Sequence, residues 1–121
     1  MQMDENINFE FKRIDDVTIF KLMEKSFDAS IAGLVKGELT ILLSAEDIKK
    51  LVFDLSEIEY CDSSGLSAIL LSFRIIQSNE GNIRLASPQK SVRTLIEISQ
   101  LNRVLPIKET VEEAVNELKA I

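Results

Sequence analysis

Two periodicities alternate along the chain. Phe9, Phe11 and Ile14 lead a short apolar stretch over residues 8–14, and Val17-Thr-Ile-Phe-Lys-Leu22 follows with β-branched residues at a strand's spacing. Asp15-Asp16 between them predicts a two-residue turn and therefore a hairpin. Ile31, Leu34, Val35, Leu39 and Leu42 then recur at helical spacing, with Ser26 or Asp28 as the expected N-cap. Gly33 and Gly37 weaken that helix by about 1 kcal/mol each relative to alanine. Ser44-Ala-Glu-Asp47 ends or caps a further turn.

The next apolar run, Leu51 to Phe53 with Leu55, has no polar alternation and predicts a strand buried on both faces. Leu66, Ile69, Leu70 and Phe73 return to helical spacing, and this helix is expected to run to about Gln77. Gly81 is placed for a left-handed turn at its end. Ile83-Arg-Leu-Ala86 is a short strand, Ser87 and Pro88 the expected cap and first residue of a helix carrying Val92, Leu95, Ile96 and Ser99. Val104-Leu-Pro-Ile107 is a last strand, and its proline predicts an edge position. Thr110 followed by Glu113 is a capping box opening a final helix with Val111, Ala114, Val115 and Leu118. The expected order is β-β-α-β-α-β-α-β-α, an α/β fold with a mixed sheet whose strands run parallel from the central one onward. One domain over residues 1–121 is expected, with residues 1–7 a loose lead-in.

Composition narrows the function. The chain is 45% hydrophobic and 28% charged, the balance of an ordinary globular domain. No apolar run approaches the ~20 residues of a membrane span, and the start has no signal-peptide pattern, so no membrane insertion and a cytoplasmic location are expected. The formal net charge of −6, with basic residues scattered, argues against direct nucleic-acid binding. Histidine is absent, which removes the commonest general base and metal ligand together. Neither a phosphate-binding loop nor a dinucleotide fingerprint is present, and no cluster predicts a metal or a cofactor.

Candidate chemistry concentrates at Asp62-Ser63-Ser64-Gly65, between the central strand and the following helix. Helix capping explains part of this choice, being worth about 1 kcal/mol, and Gly65 lets the helix approach the sheet closely. Three capping-competent residues exceed that need. Hydroxyls at a helix N-terminus also suit a phosphoacceptor, whose charge the dipole tolerates. A hydrolase using Ser63 or Cys61 lacks a histidine base, and a lone cysteine closing a buried strand is more often a small hydrophobe.

The run Phe53-Asp-Leu-Ser, then Tyr60-Cys-Asp-Ser-Ser-Gly-Leu66, Gly81-Asn-Ile-Arg-Leu85 and Val92-Arg-Thr-Leu-Ile-Glu-Ile98 resembles a STAS domain, and more narrowly a stand-alone bacterial anti-sigma factor antagonist. The resemblance covers about residues 8 to 118. It implies a non-enzymatic partner switch. The antagonist binds an anti-sigma factor that is also a serine kinase. That kinase phosphorylates the serine after the aspartate, here Ser63, and a metal-dependent serine phosphatase reverses the step. Asp62, Ser64, Gly65, Leu66 and Asp28 are the implied motif and partner-binding surface, and any nucleotide would belong to the kinase. Two departures stand out: Lys25-Ser-Phe-Asp28 keeps only the aspartate of the family's Gly-Glu-Leu-Asp-like segment, and Cys61 replaces an aliphatic residue. STAS domains also serve as subunits of lipid-transport ATPases and as stressosome-type scaffolds. In those roles binding is constitutive and Ser63 structural.

Overall fold

The computed structural model describes residues 6–45 and 47–121. β1 (Phe9–Ile14) and β2 (Val17–Leu22) form the expected hairpin, closed by the pair Ile14–Val17, with Asp15 at φ 55° in the turn. The chain continues through β3 (Ser26–Phe27), α1 (Ala29–Ala45), β4 (Lys50–Asp54), β5 (Tyr60–Cys61), α2 (Ser63–Ser78), β6 (Asn82–Ala86), α3 (Lys90–Ile98), a 3₁₀ turn (Leu101–Arg103), β7 (Ile107–Lys108) and α4 (Val111–Lys119). Without β3 and β5 this is the order read from the sequence. The main sheet runs β1-β2-β4-β6-β7, with β1 antiparallel and the other pairs parallel. Among the described residues no helix is long and apolar enough to cross a membrane.

The central strand explains the layering. Leu51 and Phe53 point to one side of β4 and Val52 to the other, all fully buried. On the first side, α1, α2 and α3 cover the sheet with a core that includes Val35, Leu39, Ile69, Ile76, Val92 and Ile96. Phe53 anchors it, its ring 5.2 Å from Phe20 edge-on and 6.4 Å from Phe27. On the second side α4 lies alone, packing Ala114, Val115 and Leu118 on Val17, Ile19, Val52 and Ala86. Its start is capped as expected, with the Glu113 N–H donating to Thr110 Oγ1 at 3.0 Å.

Several local expectations are corrected. Of the two caps expected for α1, Asp28 is the one used, because Ser26 is taken up by β3. The buried stripe of α1 is Ala32, Val35, Leu39 and Leu43, with Ile31, Leu34 and Leu42 half-buried and packed against the same core. Gly81 is not left-handed; Glu80 takes that conformation at φ 61°. Glycine is required at 81 for space, since a Cβ there would collide with the backbone of Lys49. Ser87 does not cap α3. It sits at φ 55°, donates its hydroxyl to the Glu109 carbonyl at 3.0 Å, and α3 begins only at Lys90. Val104 belongs to the end of the 3₁₀ turn, so β7 starts later than expected, though it does form the sheet edge with Pro106 just before it. Of the expected lead-in, Ile7 is buried in the larger core; residues 1–5 lie outside the described residues.

Candidate functional site

The two-residue strands β3 and β5 organise the site. They pair in parallel, Ser26 with Tyr60 and Phe27 with Cys61, and the Asp62 N–H continues the contact by donating to the Phe27 carbonyl at 3.3 Å. Each strand is followed at once by an aspartate and a helix. The pairing therefore sets Asp28 and Asp62 side by side, and with them the N-termini of α1 and α2. Two residues per strand carry no periodicity, so nothing in the apolar pattern announces this small sheet.

Both aspartates cap their helices. Asp62 is extended (φ −118°, ψ −169°), and its Oδ1 accepts the N–H groups of Ser64 at 2.9 Å and Gly65 at 3.3 Å. Asp28 Oδ1 accepts the N–H of Ser30 at 3.0 Å and its hydroxyl at 2.6 Å. Those bonds, the hydroxyl's first, hold the Asp28 carboxyl below its ordinary range.

Ser63, the first residue of α2, is exposed, and its hydroxyl makes no hydrogen bond with the described residues. Ser64 is half-buried. Gly65 is buried against the small sheet: a Cβ there would strike the Phe27 carbonyl oxygen and come within 2.7 Å of Cys61 Sγ. The close approach expected of Gly65 is thus made to β3 and β5. The Cys61 thiol is pushed up to about 12, by burial first and by the Asp62 charge second. That is the opposite of an activated nucleophile. Among the described residues no basic group is hydrogen-bonded to Ser63.

From Ser63 a groove of about 390 Å³ runs down α2, lined by Leu66, Ser67, Leu70 and Arg74, with Ser99 and Leu101 across from them. Leu66, named from the sequence, forms its upper wall. Ser67, Leu70 and Arg74 were legible in principle, because with Ser63 they follow one helical stripe at i, i+4, i+7 and i+11. Ser99 caps the distant end of α3 and Leu101 opens the 3₁₀ turn after it, and no local signal links them to α2. The loop entering the site is pinned from α3 as well. Ser91 donates its hydroxyl to the Glu59 carbonyl at 2.8 Å, and Gln89 Nε2 donates to the Ser56 carbonyl at 2.9 Å. Among the described residues no group of histidine, cysteine or carboxylate side chains is arranged to hold a metal ion.

Comparison with known proteins agrees with this architecture. The anti-sigma-B factor antagonist of Listeria monocytogenes is 30% identical over 103 residues, spanning 85% of this chain and 90% of its own length. An anti-sigma factor antagonist from Mycobacterium paratuberculosis superposes with a TM-score of 0.83 at 18% identity, over 98% of this chain and 99% of the other. The antagonist SpoIIAA superposes in its unphosphorylated form with a TM-score of 0.73 at 16% identity, over 94% of this chain and 100% of its own. The phosphorylated form from Bacillus gives 0.69 at 17%, over 91% and 98%. The profile of the STAS domain matches residues 8–114, and by that match the chain belongs to the STAS domain family.

Proposed function

We propose that this protein is an anti-sigma factor antagonist that docks on an anti-sigma factor serine kinase through the α2 N-terminus and its groove, and is released by phosphorylation of Ser63. The observation that carries the reading is the idleness of the Ser63 hydroxyl. It stands exposed at the first position of α2, while Asp62 alone supplies the cap. A phosphoryl group can be added there without breaking a bond that holds the helix. The relatives support the same reading: one is an anti-sigma-B factor antagonist, and SpoIIAA has both a phosphorylated and an unphosphorylated form.

The electrostatics favour release. The N–H groups of Ser64 and Gly65 already serve Asp62, so a phosphate finds the helix start partly occupied. A phosphoserine brings about −1.5 to −2 charge to a place already holding the Asp62 and Asp28 carboxylates. The modified face repels an acidic partner surface and adds bulk where the groove begins. Asp62, Ser64, Leu66 and Asp28 form the docking surface, with Gly65 buried beneath it where it lets α2 approach β3 and β5, and a metal-dependent serine phosphatase resets the switch in the cytoplasm.

The test is incubation with the cognate kinase and ATP, followed by peptide mapping. A single phosphate on Ser63, absent from Ser63→Ala but retained in Ser64→Ala, is the expected result. Phosphate on Ser64 or Ser67 with Ser63 unmodified refutes the assignment.

A further inference from the structure

The main sheet has two edges that differ greatly. β7 contributes two residues, whereas β1 offers six, and among the described residues no strand lies on its outer side. Such an edge is a template for another strand. Its backbone polarity follows from the hairpin. The Asn8 carbonyl accepts the Met23 N–H at 2.8 Å, so Asn8 faces β2, and by alternation so do Glu10, Lys12 and Ile14. The peptide groups of Phe9, Phe11 and Arg13 point outward.

The side chains restrict what can pair there. The side chains of Glu10, Lys12 and Arg13 are exposed, and none of them makes an ion pair or hydrogen bond with the described residues. Lys21 lies opposite Glu10 within the hairpin but pairs with Glu57 at 3.9 Å. Phe11 is half-buried and Ile14 is 41% exposed.

We propose that β1 pairs antiparallel with β1 of a second copy, in the register that places Phe11 opposite Phe11, joining the two sheets into one. In this register Phe11 meets its twin and Phe9 meets Arg13 as hydrogen-bonded pairs, which uses every outward peptide group. Glu10 then faces Lys12 of the other copy twice, at non-hydrogen-bonded positions where Cα atoms come within about 4.5 Å. The two neighbouring registers fail on charge: centring on Glu10 sets Glu10 against Glu10, and centring on Lys12 sets Lys12 against Lys12. The edge is thus complementary to itself in one register. The assembly carries two copies of the Ser63 site, and the inference does not depend on what that site does.

Charge exchange followed by light-scattering mass across a concentration series tests it. The wild-type protein is expected at twice the 13.6 kDa chain mass. Glu10→Lys and Lys12→Glu are each expected to be monomeric, because each sets like charges opposite. An equimolar mixture of the two is expected to restore the dimer as a heterodimer, and the double variant Glu10→Lys/Lys12→Glu to restore the homodimer. Circular dichroism identical to wild type confirms that each variant is folded. A monomeric wild type overturns the proposal, and so does a dimer indifferent to both single exchanges.

Discussion

Asp62 Oδ1 accepts the Ser64 N–H at 2.9 Å while the neighbouring Ser63 hydroxyl accepts and donates nothing among the described residues. The division of labour between these adjacent residues is measurable. Asp62→Ala removes the cap and should destabilise the protein by about 1 kcal/mol, within a range of about 0.5–2. Ser63→Ala should stay within about 0.5 kcal/mol of wild type. Urea unfolding monitored by circular dichroism gives both numbers, and equal losses would contradict the assignment of the cap to Asp62.

The same division predicts opposite binding behaviour for two substitutions at one position. Ser63→Ala should bind the cognate kinase with wild-type affinity yet accept no phosphate. Ser63→Asp should bind at least about 10-fold more weakly, equivalent to about 1.4 kcal/mol. Calorimetric titration separates these outcomes. Undiminished affinity in Ser63→Asp, with the interface mapped to α2, would falsify the electrostatic account of release.

Glycines divide by what surrounds them. Gly33 and Gly37 lie on the outer face of α1, with nothing within 4 Å of an added Cβ, so alanine at either should stabilise by about 0.5–1 kcal/mol. Gly81→Ala must displace the Lys49 backbone and should cost about 1–3 kcal/mol. Thermal unfolding of the three variants should therefore shift in opposite directions.

Cys61 should be nearly inert in the folded protein. With its thiol pushed up to about 12, only about one molecule in 10⁴ carries the thiolate at pH 8. Labelling by a thiol-specific alkylating reagent should be at least about 100-fold faster in denaturant than in buffer. Comparable rates in both would show that the small sheet does not shield it.

Glu117 governs part of the acid response. The hydrogen bond from Lys108 at 2.7 Å and that from Arg84 hold its carboxyl below the ordinary value of 4.5. A carboxyl whose folded value is depressed contributes stability above its unfolded value and loses it as pH falls through the folded one. Glu117→Gln should therefore lose most stability, relative to wild type, at neutral pH. The gap should close as the pH drops below about 4.5. Denaturant midpoints measured from pH 3 to pH 7 would show it.

The architecture was largely legible where apolar periodicity is long. Leu51–Phe53, the stripe from Leu66 to Phe73, and the capping box at Thr110 each predict the element found. The errors share a cause: the sequence names a residue's capacity, while its neighbours decide its use. Ser87-Pro88 has the chemistry of a helix start, yet Ser87 is drawn away by the Glu109 carbonyl. Gly81 has the freedom for a left-handed turn, yet the Lys49 backbone needs only its missing side chain. At the candidate site, Asp62 through Leu66 were legible as one motif because they are contiguous. Ser99 and Leu101 were not, because only tertiary packing brings them to the groove.

The pairing of Phe27 with Cys61 bears on what an enzyme acting at Ser63 would recognise. On the proposed reading, Asp28 and Ser30, far upstream of Ser63, contribute the neighbouring helix start to that surface. Such an epitope would be conformational rather than linear. A peptide copying residues 58–70 carries the phosphoacceptor but only one of the two helix starts, so a kinase reading both would pass over peptides and unfolded chains, and phosphorylation would report on folding as well as on signal.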